Sequence, residues 1–103
     1  MRYNIILTPQ AVESLRNLKA EIRAVVNDAI EIYLRYEPTK TSKSRIKRLR
    51  GISRPQFRLR VNEVRIFYDV TGEVVEILSV VLKRDADAWL ERSGEHDEGS
   101  GII

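Results

Sequence analysis

The chain has 103 residues, 43% of them hydrophobic and 32% charged, the balance of one globular domain rather than a disordered segment. It contains no cysteine and one histidine, His96, which excludes disulfides, thiolate metal sites and cysteine nucleophiles and leaves no metal or other cofactor to expect. No apolar run approaches the roughly 20 residues of a membrane helix, and the apolar N-terminal run is too short for a signal peptide, so no membrane contact and a cytoplasmic location are expected.

Tyr3 to Leu7 is a short strand. Thr8-Pro9 then starts a helix, with a hydroxyl at the N-cap and proline at the first helical position, where its missing N–H costs nothing. Val12, Leu15 and Leu18, then Ile22, Val25, Val26, Ala29, Ile30 and Tyr33, continue an apolar stripe at helical spacing. A break between Asn17 and Ala20 divides it into two helices, and Glu37-Pro38 ends the second. Residues 39–55 carry turn formers and charge, with only Ile46, Leu49 and Ile52 as anchors, and read as a mostly irregular basic arm. The period then becomes 2. Phe57, Leu59 and Val61 alternate with polar residues, as do Val64, Ile66 and Tyr68, while Val74 to Leu82 is nearly all apolar, as in a central strand covered on both faces. Asp85 to Glu91 reads as a short helix, and residues 93–103 as a flexible, glycine-rich tail after a single domain over 1–92. The order β-α-α-β-β-β-α predicts an α+β fold, a small, mostly antiparallel sheet with an N-terminal helical hairpin on one face.

The net charge of +3 conceals a polarised molecule. Between Pro38 and Asn62 stand Lys40, Lys43, Arg45, Lys47, Arg48, Arg50, Arg54, Arg58 and Arg60 and no acid, so the remaining nine basic residues face all fifteen acids and that remainder carries −6. Such density is relieved by a polyanion, and nucleic acid is the first candidate. The plainer readings are a solvated basic loop or a basic surface for an acidic protein.

If Asn62-Glu63 forms a two-residue loop, Val61 pairs with Val64, Leu59 with Ile66 and Phe57 with Tyr68 on the core side. Arg60 then lies opposite Arg65 and Arg58 opposite Phe67 on the other side. Like charges facing each other destabilise a sheet, so stability alone does not favour this arrangement. A loop one residue longer would scatter the cations or pair them with Glu76 or Asp69. There is no Ser/His/Asp set and no carboxylate cluster for a metal, and helix capping accounts for Asp85 and Asp87. The residues available for chemistry are Arg58, Arg60, Arg65, Lys83 and Arg84. Cations suit phosphodiester cleavage, in which charge builds on the nonbridging oxygens, and RNA brings its own nucleophile, the 2′-OH.

Arg48-Leu49-Arg50-Gly51, Phe57-Arg58-Leu59-Arg60-Val61, Val64-Arg65-Ile66-Phe67-Tyr68 and Ile77-Leu78-Ser79-Val80, in this order, resemble the RelE/ParE toxins of bacterial toxin–antitoxin pairs over about residues 2–92. The resemblance implies a toxin held by a cognate antitoxin that wraps the basic surface, in a hetero-oligomer of the two. A RelE-type member would cleave mRNA in the ribosomal A site. A ParE-type member would inhibit DNA gyrase without nuclease activity, and a plain nucleic-acid-binding domain is the third reading. The RelE pattern places Arg58, Arg60 and Arg65 on basic site positions, and either Lys83 or Arg84 on that of the catalytic arginine. It places Trp89 where a tyrosine is usual. Tryptophan has no hydroxyl to act as acid or base, but it can stack on a base or anchor the last helix. Lys40, Lys43, Arg45, Lys47, Arg48, Arg50 and Arg54 are the expected RNA-binding cations of the arm.

Overall fold

A computed structural model describes residues 1–96. The first strand, β1, is Asn4–Leu7, and the first helix, α1, is Pro9–Arg16. Thr8 caps α1 as the sequence requires, its Oγ1 accepting from the Ala11 N–H at 3.1 Å. The same hydroxyl donates to the Leu78 carbonyl at 2.9 Å and fastens the helix to the sheet. The second helix, α2, is Ala20–Ala29 and continues through a π-helical turn over Ile30–Leu34.

Residues 39–55 are more regular than the sequence suggests. Ile46–Arg48 is a strand, β2, and Ile52–Arg54 another, β3. Phe57–Val61 (β4), Val64–Thr71 (β5) and Val74–Leu82 (β6) form the expected antiparallel meander. The main sheet has five strands in the order β1-β6-β5-β4-β2, with only β1 and β6 parallel. The third helix, α3, spans Lys83–Ser93, longer than the sequence suggests at both ends. Beyond it Glu95–His96, β7, pairs with β3, so the segment expected to be a loose tail begins as a strand. The rest of that tail lies outside the described residues.

One face of the sheet packs Phe57, Leu59, Val61, Val64, Ile66, Tyr68, Val75 and Ile77 against Ala11, Val26, Ala29, Ile30 and Leu34 of the helical hairpin. Burying such side chains contributes about 1.5–3 kcal/mol each and holds the hairpin on the sheet. Tyr68 reaches through this core to donate to the Pro38 carbonyl at 2.6 Å. The N-terminal hairpin thus lies on one face as expected, and the third helix takes the other. Ala86 and Trp89 of α3 pack on Phe67 and Leu78 from the opposite side. That smaller cluster leaves part of the second face open, and there the strand arginines stand. Part of the predicted helical stripe also stays outside the core, since Val12, Ile22 and Val25 are exposed.

Candidate nucleic-acid interface

The register of β4 and β5 places the basic side chains. Val61 pairs with Val64, Leu59 with Ile66 and Phe57 with Tyr68, while Arg60 pairs with Arg65 and Arg58 with Phe67. Asn62 takes a φ of +52°, a conformation that asparagine tolerates better than most residues, and this closes the two-residue loop. The three arginines therefore share the face opposite the main core.

They are not equivalent there. Arg65 is only 6% exposed, and its Nη1 donates to the carbonyls of Asn62 at 2.7 Å and Val64 at 3.0 Å. It braces the hairpin from beneath the patch. Arg58 is half-buried, and its Nε is buried with no hydrogen-bond partner. An orphaned guanidinium N–H is costly unless an acceptor arrives, which makes Arg58 the position most in need of an anion. Arg60 is exposed. Burial, then the field of Arg65 and Arg60, pushes the Arg58 guanidinium below its ordinary value. Burial and then Arg60 do the same to Arg65, with Glu63 opposing. Both remain charged, since arginine is not deprotonated in proteins. The shifts record burial first and, second, a concentrated positive field that a phosphate would relieve.

The arm residues divide. β2 pairs with β4 so that Lys47 stands opposite Arg58. Side chains directly opposite share a face, so Lys47 belongs to the arginine patch. Arg48 lies over the Phe57 ring at 5.0 Å, and Arg45 lies over Tyr33 at 4.9 Å while donating to the Arg60 carbonyl. Lys40 lies 3.5 Å from Glu37. Lys43 and Arg50 are exposed, and among the described residues neither forms an ion pair.

Arg54 departs furthest from expectation. Its guanidinium lies 3.4 Å from Asp69, 3.0 Å from Glu76 and 3.8 Å from Glu95, so this cation is occupied within the fold. Trp89 is 4% exposed and stacked on Phe67 with centroids 4.9 Å apart, which makes it the anchor of α3 and leaves no face for a base. Lys83 opens α3, its N–H donating to the Glu63 carbonyl at 2.7 Å, beside the hairpin tip. Arg84 is exposed and lies 3.8 Å from Asp85. Thus Arg58, Arg60, Arg65 and Lys47 are brought together, Lys83 lies at the far end of the patch, and Arg54 and Trp89 are held in other contacts. Sequence reasoning left Lys47 in the arm. Only Ile46 before it hinted at a strand, and three residues are too few to reveal a period. Among the described residues no group of His, Asp and Glu is arranged to hold a metal.

No protein-family model matches this sequence, and no curated protein does. Solved structures do match. A chain of the toxin–antitoxin complex RelBE2 from Mycobacterium tuberculosis superposes with a TM-score of 0.64 at 26% identity, over 80% of this chain and 99% of that one. A chain of the archaeal RelE–RelB complex from Pyrococcus horikoshii gives 0.66 at 26%, over 81% and 97%. A mutant E. coli toxin RelE in the free state gives 0.55 at 19%, over 90% and 99%. A helical hairpin on one face of a small sheet, with guanidinium groups gathered on the other, defines a cationic α+β domain of the RelE-like fold. The chain belongs to the RelE-like toxin superfamily.

Proposed function

We propose that the protein is the toxin of a toxin–antitoxin pair and acts in the cytoplasm as a ribosome-dependent mRNA endonuclease. The observation that carries this reading is Arg58, set beside the cross-strand pair Arg60 and Arg65 with a buried Nε that lacks any acceptor. Arg58 and Arg60 bind the scissile phosphate, and Arg65 adds positive potential from below. As the 2′-oxygen attacks phosphorus, charge grows on the nonbridging oxygens, and donors already in place stabilise it without reorganising. The exposed arm cations Lys43 and Arg50 hold neighbouring phosphates. Lys83, or Arg84 next to it, assists the departing 5′-oxygen.

The matched solved structures include toxin–antitoxin complexes, and an acidic antitoxin would neutralise the same basic face. Ile22 and Val25 leave apolar surface on α2 for such a protein to cover. A second reading, inhibition of DNA gyrase without cleavage, draws on Trp89, which has no hydroxyl and is buried.

Mapping mRNA 5′ ends after induction tests the proposal. The wild type yields new ends within translated codons. Arg60→Gln, a change at an exposed position, lowers their yield about a hundredfold, the cost of removing one transition-state donor, with the far-UV CD spectrum unchanged. Intact mRNA together with inhibited supercoiling selects the gyrase reading instead.

A further inference from the structure

The second helix is apolar beyond what the core uses. On its outer side Ile22 and Val25 are joined by Ile32, which is 68% exposed, and by Tyr36, which is 58% exposed. Positions 22, 25, 29, 32 and 36 recur at alternating spacings of three and four, which sets them along one strip of α2 and the turn that continues it. Ala29, in the middle of the strip, is small and packed into the core, so a second helix can approach closely there. A contiguous apolar strip left in water marks an interaction surface.

The two ends of the strip differ in charge. At the first, a groove between α2 and the tip of the β4–β5 hairpin is lined by Ile22, Val25, Val61 and Leu82 and edged by Glu21 and Glu63. Among the described residues neither carboxylate forms an ion pair. At the other end a groove beside Ile32 and Tyr33 is edged by Glu37, Lys40 and Arg45. Glu37 lies against Lys40, which leaves Arg45, set over the Tyr33 ring, as the excess charge. The strip is thus apolar along its length, acidic at its start and basic at its end.

We propose that this strip joins two copies of the chain about a two-fold axis, with the α2 helices antiparallel. A two-fold interface uses the same patch twice, so whatever stands at one end must suit what stands at the other. An axis through Ala29 sets Ile22 of one copy beside Tyr36 of the other, and Val25 beside Ile32. The same axis carries Glu21 and Glu63 of each copy to Lys40 and Arg45 of the other. A parallel arrangement gathers four carboxylates at one end, and like charges brought together at an interface are costly. An acidic antitoxin that covers Ile22 and Val25 meets Glu21 and Glu63 there, whereas a second copy brings cations to them. The hairpin lies on the face opposite Arg58 and Arg60, so both arginine patches stay open in the dimer. The arrangement also gives Lys40 and Arg45, which stand apart from the patch, a role other than RNA binding. It concerns the protein free of antitoxin and does not depend on the nuclease reading.

The strip is one helix wide and about 20 Å long. That is at the small end of specific interfaces, so the dimer forms at micromolar rather than nanomolar concentration. Sedimentation velocity of the full chain, free of antitoxin and RNA, tests it over about 1–100 µM. The weight-average mass of the wild type climbs from that of one chain and levels off at two. Ile32→Glu, a change at an exposed position, puts a charge in the seam and keeps the protein a single chain throughout, with an unchanged far-UV CD spectrum. Glu21→Lys and Lys40→Glu each raise the dissociation constant of the dimer about threefold, the scale of an exposed ion pair. The double change exchanges the charges of the two ends and returns most of that loss. A wild type that remains a single chain over the whole range overturns the proposal and leaves the strip to the antitoxin. An Ile32→Glu variant that dimerises as the wild type does overturns it as well. A double change that dimerises no more tightly than either single one overturns the antiparallel arrangement.

Discussion

At the scale of single residues, the two aromatic rings of the smaller cluster hold α3 against the face that carries the arginines. Trp89 stacks on Phe67, yet its indole Nε1 is buried without a partner. Trp89→Ala removes the stack and leaves a cavity, and about 3–5 kcal/mol of unfolding free energy should be lost in urea denaturation. Trp89→Phe keeps a ring on Phe67 and removes the orphaned N–H, itself a penalty of about 1–3 kcal/mol. That variant should therefore lose much less than the alanine variant. A Phe variant as unstable as Ala would show that the indole contributes more than a packed ring.

Asp69 gives a prediction of the opposite kind. Burial raises its carboxyl above the ordinary value, against the Gln56 N–H and Arg54, which lower it. A raised folded-state value means that the native state binds the proton more tightly than the unfolded chain does. Stability contributed by Asp69 is therefore present when it is protonated and is lost as pH rises from the ordinary carboxylate range through the folded value. Asp69→Asn, neutral at every pH, should gain Tm relative to wild type at pH 7. The gain should shrink as pH is lowered toward 4. A Tm difference constant with pH would mean that the charge on Asp69 costs the fold nothing.

At the scale of elements, the cap of α1 and the β4–β5 hairpin were both legible in the sequence, for local reasons. Thr8-Pro9 needs only its neighbours to start a helix, and a two-residue loop sets the register of every pair above it. Because Thr8 Oγ1 both accepts from Ala11 and donates to Leu78, Thr8→Ala should cost about 1–2 kcal/mol, the upper part of the range for caps. Thr8→Ser should restore most of it in the same denaturation series. The short strands were hidden because their reasons are distant. β2 exists through pairing with β4, and β3 through pairing with β7, more than forty residues onward. Arg54 looked free because Asp69, Glu76 and Glu95 are far from it in sequence. Trp89 stayed open between stacking on a base and anchoring α3, because nothing in its own helix reveals that Phe67 lies on the sheet beneath it. Local chemistry thus predicted the arginine cluster correctly, and the contacts that remove Arg54 and Trp89 from it required the folded chain.

At the scale of the whole molecule, the basic block of residues 39–61 divides between capture and chemistry. The strand face holds Arg58, Arg60 and Arg65 at fixed positions, with Lys47 on the neighbouring strand, so function there depends on geometry. Lys43 and Arg50 stand exposed on the surrounding arm, where a charge acts mainly by displacing counterions from RNA. Each phosphate contact on a single strand adds about 0.7 to the slope of log affinity against log salt. The double change Lys43→Gln, Arg50→Gln should therefore make that slope shallower by about 1.4 for a single-stranded RNA oligonucleotide. It should weaken binding to different sequences by a similar factor, because phosphate contacts carry no base information. The deficit relative to wild type should widen as the salt is lowered and narrow as it is raised, because the two lost contacts act through counterion release. If the slope is unchanged, the arm does not touch the RNA, and the positive field of the molecule acts through the strand face alone.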